Sequence, residues 1–130
     1  MILASLVFAF LAALLHVYIF TMESLTWTQP ATWKRFSIGS QTDANTTRPL
    51  AFNQGFYNLF LAVGAFAGIA AVALGQPVVG WTLIFSSCGS MLLAALVLAI
   101  SGRKYLRAAA TQGATPLLAV VLGILGLVLP

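Results

Sequence analysis

Residues 2–25 read ILASLVFAFLAALLHVYIFTMESL, and among these 24 positions the only His, Lys, Arg, Asp or Glu residues are His16 and Glu23. About 20 consecutive apolar residues suffice for a helix to cross a bilayer. The stretch is therefore read as a membrane span. No positively charged segment precedes it and no convincing small-residue cleavage site follows, so it is expected to persist as a helix and not to be removed as a leader.

Working outward, three more runs of the same kind follow, at residues 50–74, 79–101 and 108–129. The expected fold class is all-α: a polytopic membrane protein, one four-transmembrane-helix bundle over residues 1–130, with the first span at 2–25. Composition agrees. Hydrophobic residues make up 61% and charged residues 6% of the chain, against about 25% charged in soluble domains.

The net charge of +4 does not mark a nucleic-acid partner. Lys34, Arg35 and Arg48 lie in the connection after span one, and Arg103, Lys104 and Arg107 in the connection after span three. Basic residues between apolar segments are topology signals. Both connections are thus expected on the cytoplasmic side, with both termini and the Gly75-Gln76-Pro77 turn non-cytoplasmic. Trp27, Trp33 and Trp81 read as anchors at headgroup level. Residues 28–36, in which Trp33 and Phe36 alternate with Lys34 and Arg35, suit either a short surface helix or a plain loop. Asn45-Thr46-Thr47 matches a glycosylation acceptor that would never be modified on the cytoplasmic side. Gly64 with Gly68, and Gly123 with Gly126, provide small positions for close helix contact. The single cysteine, Cys88, offers neither a disulfide nor a thiol ligand cluster.

The polar residues carry the functional question. Glu23 is the only carboxylate in or beside a span, and such a group costs about 2.5–3.5 kcal/mol at a helix centre. His16, seven residues earlier, shares its helical face, with Phe20 between them. The second span opens Asn53-Gln54-Gly55-Phe56-Tyr57-Asn58, in which Asn53 with Tyr57 and Gln54 with Asn58 form i, i+4 pairs. Gly55 admits close approach of a backbone or a ligand. Counting from the boundaries places Glu23 level with Asn53 and His16 level with Asn58. Gln112-Gly113, with Pro116 a turn later, joins from span four, and Ser86, Ser87 and Ser90 from span three. These residues suggest a polar cavity open to the cytoplasm, with His16, Glu23, Asn53, Gln54, Tyr57, Asn58 and Gln112 as ligand-binding or proton-carrying groups. The blander alternatives are that Glu23 snorkels to Lys34, Arg35 or Arg48 and that the amides merely join helices.

One His and one membrane Glu cannot complete a familiar zinc or di-metal sphere. A heme would need Met22 or Met91 beside His16. No metal and no cofactor are expected, and no phosphate loop or nucleophile motif is present.

On Asn53-Gln54-Gly55-x-Tyr57-Asn58, His16, Glu23 and Gln112-Gly113-x-x-Pro116, nearly the whole chain resembles a bacterial four-helix membrane family catalogued only as a domain of unknown function. That resemblance implies a multi-pass protein of the bacterial inner membrane and no particular reaction. Three functions suit the polar set. The first is binding or transport of a small or lipophilic molecule, similar to the small multidrug transporters in having four spans and a first-span Glu, though Glu23 lies near one face. The second is an accessory subunit of a membrane complex. The third is a membrane enzyme for a lipophilic substrate, by fold-level analogy with the four-helix eicosanoid and glutathione enzymes. The expected partners are the lipid bilayer, an unknown small molecule, and a second copy or larger membrane complex.

Overall fold

In the computed structural model, which describes residues 1–129, the chain is all-α, with no strand among the described residues. Helix α1 covers Ile2–Phe20 and continues into a π-helical turn at Thr21–Leu25. A short helix, α2, Pro30–Trp33, runs into a 3-10 turn at Lys34–Phe36. Helix α3 spans Gln41–Ala73 and α4 spans Pro77–Ile100; after a 3-10 turn at Arg103–Tyr105, α5 covers Leu106–Val128. Four segments, Ile2–Leu25, Gln41–Ala73, Pro77–Ile100 and Arg103–Val128, are long and apolar enough to cross a membrane.

The second of these starts at Gln41 and not at Leu50 as expected, because a capping pair sets the helix start. The Asp43 amide donates to Ser40 Oγ at 3.1 Å, and Ser40 Oγ donates to Asp43 Oδ2 at 2.8 Å. This satisfies a donor left open at a helix N-terminus and puts an acidic group where the helix dipole favours it. Pro49 then falls inside α3. Its missing N–H deprives the Asn45 carbonyl of its helical donor, at a cost of about 3 kcal/mol. Side-chain anchors offset that cost. Trp27 Nε1 donates to the Ala44 carbonyl at 3.0 Å and to Thr47 Oγ1 at 3.3 Å, and Trp33 Nε1 donates to Gln41 Oε1 at 3.0 Å. Gln41 Nε2 in turn donates to the Thr28 carbonyl at 2.9 Å.

These bonds correct the reading of the indoles. Trp27 and Trp33, each 8% exposed, are held by these bonds, and Trp81, 7% exposed, stacks on Phe85 at 5.4 Å, so all three indoles pack within the protein where free anchors were expected. Between α3 and α4 the expected turn is present in full. Gly75 has φ +75°, the Gln76 amide donates to the Ala71 carbonyl at 2.9 Å, and the Gly75 amide donates to the Val72 carbonyl at 3.1 Å. That is a glycine-capped helix end, and Pro77 opens α4 where no amide donor is needed.

The chain divides into two compact units, one comprising Met1–Leu15 with the chain from Leu61 onward, the other His16–Phe60. In the first, segments of all four long helices pack together. Ser5 Oγ on α1 donates to the Ala119 carbonyl on α5 at 2.6 Å, and Phe10 on α1 meets Phe66 on α3 edge-to-face at 5.5 Å. Helices α3 and α4 touch backbone to backbone at Gly68 and Gly80. A Cβ on Gly68 would lie 2.8 Å from the Gly80 carbonyl oxygen, and one on Gly80 2.7 Å from that of Gly68. The side chains follow the same logic. Ala9, Ala12, Ala13, Ala62, Ala65 and Ala119 are buried, while Leu3, Leu74, Val78 and Ile100 lie outside. Apart from the buried Ile84 and Met91, small residues inside and large apolar residues outside is the arrangement expected where lipid supplies no hydrophobic drive and helices associate by close packing.

Candidate functional site

The second unit holds the candidate site, at the point where α1 loosens. In place of continued α-helical bonding, the Thr26 amide donates to the Thr21 carbonyl at 3.1 Å, five residues back. Such widened turns occur mostly as single turns inserted in helices and frequently mark functional positions. The turn carries Glu23 and Ser24 against α3.

Three features fix that contact. Asn58 Nδ2 donates to Glu23 Oε2 at 2.7 Å and to its own helix at the Gln54 carbonyl, 3.2 Å away. Ser24 Oγ donates to the Phe52 carbonyl at 2.8 Å. Gly55 is buried between the two helices, where an added Cβ would strike Ser24 Oγ and lie 3.0 Å from the Ser24 amide nitrogen and 3.1 Å from Glu23 Cβ. The glycine therefore lets α3 reach the Ser24 backbone, and the two flanking hydrogen bonds lock the register. Phe20 packs edge-to-face on Phe56 at 5.1 Å and closes the apolar side of the same contact. Arg35, from the 3-10 turn after α2, donates through Nη1 to the Tyr18 hydroxyl at 3.0 Å.

Glu23 is half-buried. Its partner is a neutral amide, so the snorkelling alternative to Lys34, Arg35 or Arg48 is not the arrangement found. One carboxyl oxygen accepts from Asn58, and Oε1 has no hydrogen bond among the described residues. The group thus retains an acceptor for a cation, a hydroxyl or an amide arriving from outside the chain.

The expected site residues separate. Glu23 and Asn58 meet directly, and Gln54 joins them through its backbone carbonyl only. His16 belongs to the same unit; it is 2% exposed and is not an unpaired group. Asn53, Gln54 and Tyr57 present their side chains on the exposed surface of α3. Gln112 belongs to the first unit, half-buried, and its carbonyl is the one that Pro116 deprives of a helical donor. The level-by-level pairing of Glu23 with Asn53 and His16 with Asn58 is corrected. That count assumed a regular α1, and the π turn with the close contact at Gly55 sets Glu23 on Asn58 instead. Ser24 and Tyr18 are partners that the sequence does not single out, and Arg35, expected as one of three cations for Glu23, bonds the Tyr18 hydroxyl instead. A groove of about 380 Å³ lies between α4 and α5, with an apolar lining that includes none of the seven expected residues.

The family described as a protein of unknown function (DUF1304) matches residues 10–124. The chain belongs to the DUF1304 family. The matched stretch contains both partners of the Glu23–Asn58 bond and Gly55 between them, so the helix contact built on them lies wholly within the DUF1304 region. Neither a curated protein nor a solved structure matches the chain.

Proposed function

We propose that this DUF1304 protein is a multi-pass protein of the bacterial inner membrane that binds or transports a small or lipophilic molecule at Glu23, from the cytoplasmic side. The observation that carries the reading is the hydrogen bond from Asn58 to one oxygen of a carboxyl held on a π turn inside a span. Magnitudes argue against a purely structural pair. A carboxylate costs about 2.5–3.5 kcal/mol at a helix centre and less near the boundary. An interhelical hydrogen bond in a membrane returns about 0.6 kcal/mol on average. As a staple the pair returns little for placing a carboxyl within a span, whereas as a preorganised acceptor it has a use.

Depth supports a site near one face. At 1.5 Å per residue α3 is about 50 Å long, well beyond the roughly 30 Å hydrocarbon core. With the Ala73 end at one boundary, the other falls near Asn53 and Gln54, which sets Asn58 about one turn inside. Lys34, Arg35, Arg103 and Lys104 lie in the two connections that the positive-inside rule assigns to the cytoplasm, and Arg48 and Arg107 in the ends of α3 and α5 beside them. The termini are then non-cytoplasmic.

The test is native mass spectrometry of the gently extracted protein beside Glu23→Gln. A small molecule retained by the wild type and absent from the variant is the expected result. Equal retention in both would remove Glu23 from the site and overturn the proposal.

One observation favours a second reading as an assembly subunit or homo-oligomer: Asn53, Gln54 and Tyr57 are exposed on α3, with Tyr57 58% exposed. Hydrogen-bonding groups on a lipid-facing surface are costly unless another helix or the interface receives them. A photo-crosslinking residue at position 57 distinguishes the cases, since a doubled mass identifies a second copy and a foreign adduct a larger complex.

A further inference from the structure

The groove between α4 and α5 plays no part in the proposed site, and its shape and charge ask for a different occupant. Leu92, Leu96 and Ala99 line it from α4, and Ala110, Gly113 and Leu117 from α5. It exists because the helices approach closely at one point. A Cβ on Gly113 would lie 2.9 Å from Ala95 Cβ, and the small side chains beside that contact leave space that no larger residue fills.

The length of the groove matches one leaflet. Along α5 the lining runs from Leu106 to Leu117, about 16 Å at 1.5 Å per residue, and half of the hydrocarbon core is about 15 Å. Its Leu106 end adjoins Arg103 and Lys104 on the preceding 3-10 turn and Arg107 in the first turn of α5, all exposed. Lys104 Nζ stands 4.9 Å from the centroid of the Tyr105 ring, which favours an ammonium held near the groove end. The two acidic side chains of the chain, Glu23 and Asp43, both belong to the other unit, so these three cations have no Asp or Glu in their own. A second copy of the chain would insert with the same orientation and bring its own three cations to the same level, which like-charge repulsion opposes.

We propose that this groove holds one acyl chain of an anionic phospholipid whose phosphate rests against Arg103, Lys104 and Arg107. The lipid is drawn from the leaflet on the side of the α4–α5 connection. Basic residues at a membrane surface attract anionic headgroups, and the groove adds a fixed seat for the chain below them.

The experiment titrates the full-length protein in detergent with phosphatidylglycerol or phosphatidylcholine and reads lipid occupancy by native mass spectrometry. The wild type is expected to retain one phosphatidylglycerol in preference to phosphatidylcholine. The variant R103Q/K104Q/R107Q is expected to lose about fivefold in affinity per charge removed. Ala110→Trp fills the groove while leaving the charges in place, and is expected to abolish the retained lipid. Equal retention of the two lipids by the wild type, or unchanged occupancy in either variant, overturns the proposal. A dimer lost in Ala110→Trp with lipid occupancy unchanged also overturns it and gives the groove to a second copy. The charge variant alters only exposed side chains, two on the 3-10 turn and one in the first turn of α5, so it decides the headgroup arm even where Ala110→Trp fails to fold.

Discussion

Replacing Asn58 with Leu removes the donor to Glu23 Oε2 and leaves the carboxyl in the span without that partner. A loss of about 0.6–1.7 kcal/mol is expected, measurable as a lowered denaturation midpoint in detergent. Glu23→Gln keeps an acceptor for the same amide and removes the ionisable group, so its midpoint should equal or exceed that of the wild type while ligand retention falls. That split between stability and binding separates a site from a staple. Gly55→Ala is expected to be costlier than its single carbon suggests. The new Cβ meets Ser24 Oγ and the Ser24 amide, and overpacking of this kind costs about 1–3 kcal/mol. Ser24→Gly in the same chain should recover part of the loss in the same melt. Gly55 was legible as a point of close approach, because a glycine among amides on a membrane helix has few other uses. Ser24 was not, since a serine in a span usually bonds its own helix, and here it reaches the Phe52 carbonyl of α3.

Among the elements, the Gly75-Gln76-Pro77 turn could be read directly, because a glycine past a helix end and a proline at the next helix start each have one strong structural meaning. The start of α3 could not. Hydropathy reports where a chain enters lipid and is silent about helix outside it, and Thr46, Thr47 and Pro49 look like loop. The deciding signal was Ser40 with Asp43 three residues on. Ser40→Ala should therefore cost about 1 kcal/mol and raise hydrogen exchange in the first turn of α3, with the Gly75 turn unaffected. The π turn has no sequence signature of its own; it follows from Glu23 and Ser24 both bonding to α3, a tertiary cause that a local pattern cannot carry.

For the whole molecule, four apolar segments were evident from composition alone. On the proposed topology, the charge asymmetry between the connections predicts that a periplasmic reporter fused after residue 130 is active and one inserted near Gln41 is inactive; the reverse result would invert the topology. The distribution of side-chain size between interior and exterior has a consequence for mutational tolerance. In a soluble core, shortening a large side chain does the most damage. Here the interior includes Ala9, Ala12, Ala13, Ala62 and Ala65, each 0% exposed, beside the larger Ile84 and Met91, also at 0%, while Leu3, Leu74 and Ile100 stand outside at 74–85%. A deep mutational scan should accordingly show the inverse map: positions 9, 12, 13, 62 and 65 rejecting every residue larger than serine, and positions 3, 74 and 100 accepting any apolar side chain. At those outward positions exchange among Leu, Ile, Val and Phe would then pass almost unnoticed, while a side chain larger than serine on an inner alanine would be selected against.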